Sequence, residues 1–268
     1  LYAGAGDDTT RGDDGDVRLD GGDGNDTLEV DANFTANLGL VNRIEEITAT
    51  AAGLTINLTG TFFGGVINSF AAGATTITSS NGDDTMSGGA GNDVFNGNAG
   101  NNTFTGNGGN DTYNSGVGTE TYNANAGSDT ISSLQGSSIF VVSAGADLTA
   151  SVGGNFTATA ASRNLGGANT DAVFNVDVLN ATSVNCSAMT VATATTDGIT
   201  INSTGRALAN VSYTGSNGDD VINSSNPILA TSMTLSGADG DDDINGAAGT
   251  DIIIGGNGDV IGFPNGEY

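Results

Sequence analysis

The sequence predicts an all-β protein built as a stack of short parallel coils, a β-solenoid. A nine-residue unit with glycine at its fourth position recurs thirteen times in the 268 residues, and nine of these units carry aspartate at the sixth position. The units form three blocks, which alternate with segments rich in Thr, Val and Ile. A turn and an inward side chain that return at one period are typical of stacked coils.

The unit itself explains why coils should form. Its first six residues are too rich in glycine for a helix, and glycine permits the positive φ values that a tight turn needs. Its last three residues form a minimal strand whose middle side chain points inward, so two units make one flattened coil. In the central block these inward side chains are Met86, Phe95, Phe104, Tyr113, Tyr122 and Ile131.

Burial of these side chains alone is not expected to hold the chain together, because its 44 glycines lose much entropy on ordering. The turns supply a second stabiliser, since the sixth-position carboxylate meets backbone carbonyls there. Oxygen donors without His or Cys suit Ca²⁺, which takes roughly 6–8 oxygen ligands. We therefore predict several Ca²⁺ ions, with these candidate ligands: Asp8, Asp26, Asp84, Asp93, Asp111, Glu120, Asp129, Asp220, Asp242 and Asp251.

Three units lack an acid at the sixth position. Asn102 can still offer an oxygen, whereas Val17 and Val260 put metal binding in doubt at their own turns. The alternative to calcium is a solenoid rich in Gly, Asp and Asn that binds no metal.

With its pattern G-G-x-G-x-D-x-U-x, the chain resembles the RTX calcium-binding nonapeptide family, the haemolysin-type repeat. The resemblance implies a parallel β-roll with Ca²⁺ held between successive turns. It also implies an extracellular location and, often, export by type I secretion. Because Leu1 lies in mid-pattern, we expect the chain to be a processed product or an excerpt of a longer protein.

In chain order the pattern predicts a block of three units, a β-rich segment, a block of six units, a second β-rich segment, and a block of four units with an insertion, followed by a tail. These are residues 1–29, 30–78, 79–132, 133–214, 215–263 and 264–268.

The two β-rich segments fit either wider coils of an irregular β-helix or a small β-sandwich, and the sequence does not choose between them. Residues 54–58 alternate strictly between apolar and polar, as in a strand. Glu45 and Glu46 are interpreted as a solvated strand end. A larger repeat is also present, because LTINLTG at 54–60 matches ITINSTG at 199–205, and each precedes an SNGDD turn. Such tandem blocks resemble those of bacterial surface-layer proteins and extracellular filament proteins.

The charge of the chain limits its partners. The formal net charge is −26, with 31 acidic residues against five arginines. Nucleic acid and anionic membrane surfaces are disfavoured, because phosphate contacts need clustered Lys and Arg. No apolar run approaches the ~20 residues of a membrane helix. A cell-surface polysaccharide bridged through Ca²⁺ is compatible with this charge. The single cysteine, Cys186, excludes an intrachain disulfide and is predicted to be a small buried residue.

The absence of histidine excludes a Ser-His-Asp triad and His-ligated zinc sites, so we expect no enzymatic activity. The leading hypothesis is a secreted or cell-surface bacterial structural protein that self-assembles into a surface layer or filament. The first alternative is the repeat region of a larger secreted adhesin, toxin or enzyme. A polysaccharide-modifying β-helix is the third hypothesis, since paired carboxylates are plentiful.

Overall fold

The computed structural model contains only strands, turns and connecting loops in the part of the chain that it describes. The described residues are 2–13, 18–36, 41–61, 64–166, 172–179, 181–192, 198–204, 210–225, 232–246, 250–256 and 260–262. Val17, most of the insertion in the last block and the predicted tail at 264–268 lie outside them. The chain divides into two compact units, Leu1–Asp129 and Thr130–Tyr268.

The first unit is a stack of short strands joined by tight turns. Its strands are β1 (Tyr2–Ala5), β2 (Thr9–Arg11), β3 (Leu19–Asp23), β4 (Thr27–Val30), β5 (Phe34–Thr35), β6 (Val41–Asn42), β7 (Glu46–Ala49), β8 (Thr55–Asn57), β9 (Val66–Asn68), β10 (Thr76–Thr78), β11 (Thr85–Ser87), β12 (Val94–Asn96), β13 (Thr103–Thr105), β14 (Thr112–Asn114) and β15 (Thr121–Ala124). Strand β16 (Gly127–Ser143) begins in this unit.

Alternate strands build two parallel faces. The front face is β2, β4, β7, β9, β11, β13 and β15, each paired in parallel with the next. The back face is β5, β8, β10, β12 and β14, paired in the same way. Strands β1, β3 and β6 form a third, short parallel sheet. In the central block Phe95 pairs with Tyr113, which holds the same position two units later, so one coil contains two units, as predicted.

The core of this unit is a thin layer between the two faces. Five of the six predicted inward side chains of the central block are fully buried in it, and the sixth, Ile131, is fully buried in the second unit. The strands alternate around them, with the residues on either side facing outward. Stacking of consecutive coils places Phe95 against Tyr113 and Phe104 against Tyr122, with ring centroids 5.5 and 5.2 Å apart.

The first β-rich segment continues the two faces of the same solenoid. Strands β7 and β9 pair with the front-face strands before and after them, and β8 and β10 do the same on the back face. Leu28 pairs with Ile47, and Phe34 pairs with Ile56. Both steps along the chain are longer than two repeat units, so the coils are wider here. Wider coils of a β-helix are therefore the correct alternative for this segment.

The second unit also consists of parallel coils. Its strands are the remainder of β16, then β17 (Ala146–Ala158), β18 (Arg163–Leu165), β19 (Val173–Val178), β20 (Ser183–Asn185), β21 (Thr190–Val191), β22 (Thr200–Thr204), β23 (Val211–Thr214), β24 (Val221–Ser225), β25 (Met233–Ser236), β26 (Asp243–Asn245), β27 (Ile252–Ile254) and β28 (Val260–Gly262). The long strand β17 pairs in parallel with both β19 and β20, which start two rows of stacked strands.

Coils of the second unit narrow toward its end. Along one row Val184 pairs with Tyr213, Tyr213 with Leu235, and Leu235 with Ile253. Each step along the chain is shorter than the one before it, and the last step equals two repeat units. The registered strands of this unit are parallel, which again supports wide coils rather than a sandwich. Cys186 is fully buried among them, as predicted.

No helix long and apolar enough to cross a bilayer occurs among the described residues.

The register corrects the reading of the last nine-residue unit. Ile244 pairs with Ile261, which is one position short of two full units, so Ile261 is the register partner of the buried Ile244 and the last coil is shortened, although Ile261 itself is 40% exposed. Val260 is consequently a strand residue that pairs with Asp243, and it does not replace the carboxylate of the turn. The residue two positions before Ile261 is Asp259, which lies outside the described residues.

Candidate metal centre

Nine of the ten predicted ligands lie in the turns and Asp129 lies in strand β16; each stands two positions before the middle position of its triplet. Eight of them are buried, with exposed fractions of 2% or less, although they are carboxylates. Asp8 and Asp251 are half-buried. Carboxylates are almost never buried unless another group compensates their charge. These buried carboxylates therefore need hydrogen-bond donors or a cation to compensate their charge.

One oxygen of each buried acid is satisfied by the neighbouring coil. Asp111 Oδ1 accepts the backbone N–H of Asp93 at 2.8 Å, and Asp129 Oδ1 accepts the N–H of Asp111 at 2.9 Å. Asp93 Oδ1 accepts the N–H of Thr75 in the same way. Each of these bonds spans one full coil, so a sixth-position side chain reaches back to the coil before it.

The bonds sort the ligands into columns along the edges of the coils. Column one is Asp8, Asp26, Asp84 and Glu120, and column two is Asp93, Asp111 and Asp129. In the second unit, column three is Asp220 and Asp242, which are joined by a 2.8 Å bond from the N–H of Asp220 to Asp242 Oδ1. Asp251 accepts the N–H of Met233 at 3.3 Å. The predicted ligands of one column thus lie above one another along the same edge of the stacked coils.

Fifth-position side chains form a second ladder in the opposite direction, which the sequence analysis missed. The N–H of Asn101 donates to Asp83 Oδ1 at 2.7 Å, and the N–H of Asn110 donates to Asn92 Oδ1 at 2.8 Å. In the second unit the N–H of Asp241 donates to Asp219 Oδ1. The recurrence of Asp or Asn before the sixth position is the sequence feature that could have revealed it. Two backbone N–H groups per turn are therefore capped by side chains.

The second oxygen of several column acids has no hydrogen-bond partner. Asp26 Oδ2, Asp111 Oδ2 and Glu120 Oε1 are buried and accept no hydrogen bond. Burial raises the pKa of Asp111 and of Glu120 to about 7, because desolvation disfavours the charged form. Burial also raises the pKa of Asp220 to about 7. A cation beside these oxygens would compensate the cost of burying the charge.

Glycine at the first position of the unit lets a second oxygen approach the carboxylate. A Cβ at Gly88 would lie 2.6 Å from Asp93 Oδ2 and would overlap the carbonyl oxygen of Gly106 in the next coil. At Gly215 a Cβ would overlap both Asp220 Oδ2 and the carbonyl oxygen of Gly237. Each of these carboxylate oxygens accepts one backbone N–H, from Gly89 and from Ser216, and the carbonyl oxygen close to it adds negative charge that a bound cation would compensate. These turns therefore fit a hard cation.

The same donor set indicates calcium. Among the described residues, no three Asp, Glu, His or Cys side chains converge as one metal-binding group. A bound ion would accordingly be held by one or two column carboxylates together with main-chain carbonyls of adjacent coils. Oxygen-only ligands that are partly main-chain suit Ca²⁺, which tolerates flexible geometry. When bound, the ion supplies positive charge between coils.

The fold and this donor set define the class as a calcium-binding β-solenoid. The family model of the RTX calcium-binding nonapeptide repeat, HemolysinCabind, matches the chain in four copies, at residues 2–33, 78–113, 114–148 and 234–260. The chain therefore contains RTX calcium-binding nonapeptide repeats, and these repeats bind several Ca²⁺ ions. Proteins with these repeats are typically secreted by bacteria. No curated protein and no solved structure matches the chain.

Asn102 interrupts column one with a side chain that needs no cation. Its Oδ1 accepts the N–H of Asp84 at 3.0 Å, as an aspartate would. Its Nδ2 donates to the carbonyl oxygen of Gly97 at 2.8 Å. The amide N–H thus takes the role that a cation would have beside this carbonyl oxygen. The oxygen that the sequence analysis assigned to possible metal binding is thus used within the ladder.

Replacing Asn102 with aspartate is expected to create one more calcium site. The variant would place a second negative oxygen beside the Gly97 carbonyl, and only a bound cation would relieve the repulsion. Equilibrium dialysis should show about one additional Ca²⁺ per chain, and the urea midpoint should fall in calcium-free buffer. Asn110→Asp, at an exposed fifth position, is the matched control and should leave the stoichiometry unchanged. An N102D chain with the calcium content of the parent would contradict this assignment.

The buried acids give the calcium-free protein an inverted pH dependence. Asp111, Glu120 and Asp220 have folded-state pKa values of about 7, against roughly 4 in unfolded chains. The folded state therefore binds more protons than the unfolded state between about pH 4 and pH 7, so stability falls as pH rises through this window. In buffers stripped of calcium, the urea midpoint should be higher at pH 5 than at pH 8.

Asp111→Asn is the control for this pH dependence, since it removes one titrating group and should flatten the slope. In saturating calcium we expect the opposite trend, because protons then compete with the ion for the carboxylates. A calcium-free chain that gains stability between pH 5 and pH 8 would refute the role given to these acids.

Two glycines of one unit provide a matched test of the turn geometry. A Cβ at Gly106 would overlap Asp111 Oδ2 and the hydroxyl of Tyr113, whereas a Cβ at Gly108 would find only Ala90 Cα, at 3.7 Å. Gly106→Ala should destabilise the calcium-bound protein by about 1–3 kcal/mol through overpacking. Gly108→Ala should stay within about 0.5 kcal/mol. Urea unfolding followed by circular dichroism measures both, and equal effects would contradict the geometry.

Proposed function

We propose that the chain is an extracellular structural protein without enzymatic activity, whose calcium-stabilised solenoid assembles with copies of itself into a surface layer or filament. One observation carries the proposal: the described strands of both units, including those of the two segments without a calcium motif, are rungs of stacked parallel sheets. A chain whose described strands all belong to stacked sheets is suited to a structural role. Tandem coil arrays of this kind build extended bodies.

The outer surface of the coils supports this role. Outward side chains of successive rungs bond to one another, as in the amide ladder from Asn114 Nδ2 to Asn96 Oδ1 at 2.8 Å and from Asn245 Nδ2 to Asn223 Oδ1 at 3.2 Å. These ladders make flat, regular, polar faces. On β27, Ile252 and Ile254 are at least half exposed and add an apolar strip of the kind that contacts between copies use.

The calcium requirement suits export. In a cytoplasm poor in calcium, the carboxylates repel one another and the chain stays extended, with a formal net charge of −26. Outside the cell, ion binding contributes directly to the free energy of folding. Assembly would then be confined to the cell surface, where a polysaccharide bridged through Ca²⁺ is a compatible anchor.

Electron microscopy of the purified chain tests assembly. With 10 mM CaCl₂ we expect ordered sheets or fibres that disperse on addition of EGTA. The double variant Ile252→Ser, Ile254→Ser should weaken assembly, while Val117→Ser, at an exposed site in a turn of the first unit, serves as the control. Dispersed monomers at every calcium concentration would contradict the proposal. That result would favour the alternative, the repeat region of a larger secreted adhesin, toxin or enzyme, in which the repeats serve export and folding only.

A further inference from the structure

Glu45 lies outside the nine-residue units but occupies a ligand position. Leu28 pairs with Ile47, so the residue two positions before Ile47 follows Asp26 along column one. Glu45 Oε2 accepts the N–H of Asp26 at 2.8 Å. The N–H of Asp8 donates to Asp26 Oδ1 in the same way, at 2.9 Å, one coil earlier. Glu45 is exposed directly before β7, as the interpretation of a solvated strand end predicts, and it is also the next member of the column.

The turn that carries Glu45 is three residues shorter than the nonapeptide turn of the preceding coil, but it still presents a main-chain carbonyl to the column. Asp20 pairs with Asn42, so Arg43 follows at the place of Gly21, the first-position glycine of the preceding coil. Arg43 adopts a positive φ of 50°, which is uncommon for a residue with a side chain. Its guanidinium is turned away to Asp20, with an ion pair of 2.7 Å, and lies over the ring of Tyr2. Only the main-chain carbonyl of Arg43 faces the column.

That carbonyl meets an oxygen of Asp26 that has no partner. A Cβ at Gly21 would overlap both the carbonyl oxygen of Arg43 and Asp26 Oδ2, so the two oxygens crowd the same glycine. Asp26 is 2% exposed, and its Oδ2 accepts no hydrogen bond. The arrangement repeats the crowding of a carboxylate and a carbonyl at the first-position glycines of column two. Beside it lies a cavity of about 220 Å³, whose lining includes Asp26 and Glu45.

We propose that a calcium ion binds at the step between Asp26 and Glu45, held by these two carboxylates and by the main-chain carbonyl of Arg43. The site extends column one beyond the first match to the repeat, which ends at residue 33. It rests on calcium binding by the repeats and is independent of assembly into a layer. The ion stabilises the junction where coils of two repeat units give way to wider ones.

Glu45→Gln separates the charge of this residue from its hydrogen bond. Glutamine keeps an oxygen that can accept the Asp26 N–H, so the ladder can persist while one anionic ligand is lost. The matched control is Glu46→Gln, which removes the same charge from the adjacent residue, whose carboxylate accepts from Asn68 Nδ2 at 2.6 Å. Bound calcium is measured on folded chains by equilibrium dialysis with ⁴⁵Ca.

We expect the E45Q chain to bind one Ca²⁺ fewer than the parent, and the E46Q chain to bind the same number. Equal stoichiometry in E45Q and the parent would overturn this site while leaving the repeat sites intact. A loss of one ion in both variants would overturn the assignment to Glu45. A parent chain that binds no calcium would refute the repeat sites as well.

A crystal of the unaltered chain grown in calcium provides a test that does not depend on variant folding. An anomalous difference peak between Asp26 and Glu45 supports the site. Peaks in columns one and two but none at this step would overturn it.

Discussion

Excess EGTA at pH 7.5 is expected to abolish most of the β-sheet circular dichroism of the chain. The reason is the accumulation of buried carboxylates in columns, where some second oxygens, those of Asp26 and Asp111 among them, lack a hydrogen-bond donor. At this pH the acids with pKa values near 7 must ionise, and their desolvation is no longer compensated when calcium leaves. The repulsion of a chain with net charge −26 acts in the same direction.

The expected size of this effect is comparable with the whole stability of a domain. Extracellular calcium modules bind with dissociation constants of about 10⁻⁴–10⁻³ M. At 10 mM calcium and about 10⁻⁴ M affinity, each ion stabilises the folded state by about 2.7 kcal/mol. A few such ions together approach the roughly 5–15 kcal/mol by which domains are stable.

A titration of free calcium monitored at 218 nm and by thermal unfolding measures the effect. Addition of Mg²⁺ to the calcium-free chain is the control, because that ion demands near-ideal octahedral geometry and should restore little β-sheet structure. If the β-sheet signal and the unfolding temperature were the same in EGTA and in 10 mM CaCl₂, calcium would not be the main stabiliser of the coils.

Tyr113→Ala is the single substitution expected to cost most in the calcium-bound state. Tyr113 is fully buried, stacks on Phe95 at 5.5 Å and contacts the rings of Phe104 and Tyr122 at 5.8 and 5.7 Å. The core is one thin layer, so neighbouring coils have little freedom to fill the cavity. Truncation of a buried aromatic residue typically costs about 3–5 kcal/mol.

Urea unfolding in 10 mM CaCl₂ gives the free energy for comparison with two controls. Tyr113→Phe should cost less than about 1.5 kcal/mol, because the ring stays and the hydroxyl donates a long bond of 3.4 Å to the Asn123 carbonyl. Val117→Ala, at a site that is 77% exposed, should be nearly neutral. A Y113A chain within about 1 kcal/mol of the parent would show that metal alone holds the coils together.

The regular blocks could be predicted from sequence because every rule that governs them is local. Two nine-residue units close one coil, so the pairing of Phe95 with Tyr113 and the burial of the sixth- and eighth-position side chains follow from the period. The same logic identified the ten candidate ligands and the class of metal. It also predicted that short alternating runs such as residues 54–58 form strands.

The β-rich segments could not be assigned in the same way. Several strands of the first segment are triplets such as Val66–Asn68, which are too short to stand out from the background of the sequence. Their coils differ in length from one to the next, so no fixed period marks which strand lies above which. The last coil is one residue shorter than two repeat units, so counting in nines wrongly placed Val260 at the sixth position of its unit.

What the sequence by itself determined is the period, the inward side chains and the calcium chemistry, because these depend on residues within one unit. Only the tertiary structure decided how each acid is satisfied. Whether an oxygen at Asp111, Asn102 or Glu45 meets a donor depends on backbone groups that lie a whole coil away along the chain. That contact is created by stacking, and local sequence carries no record of it.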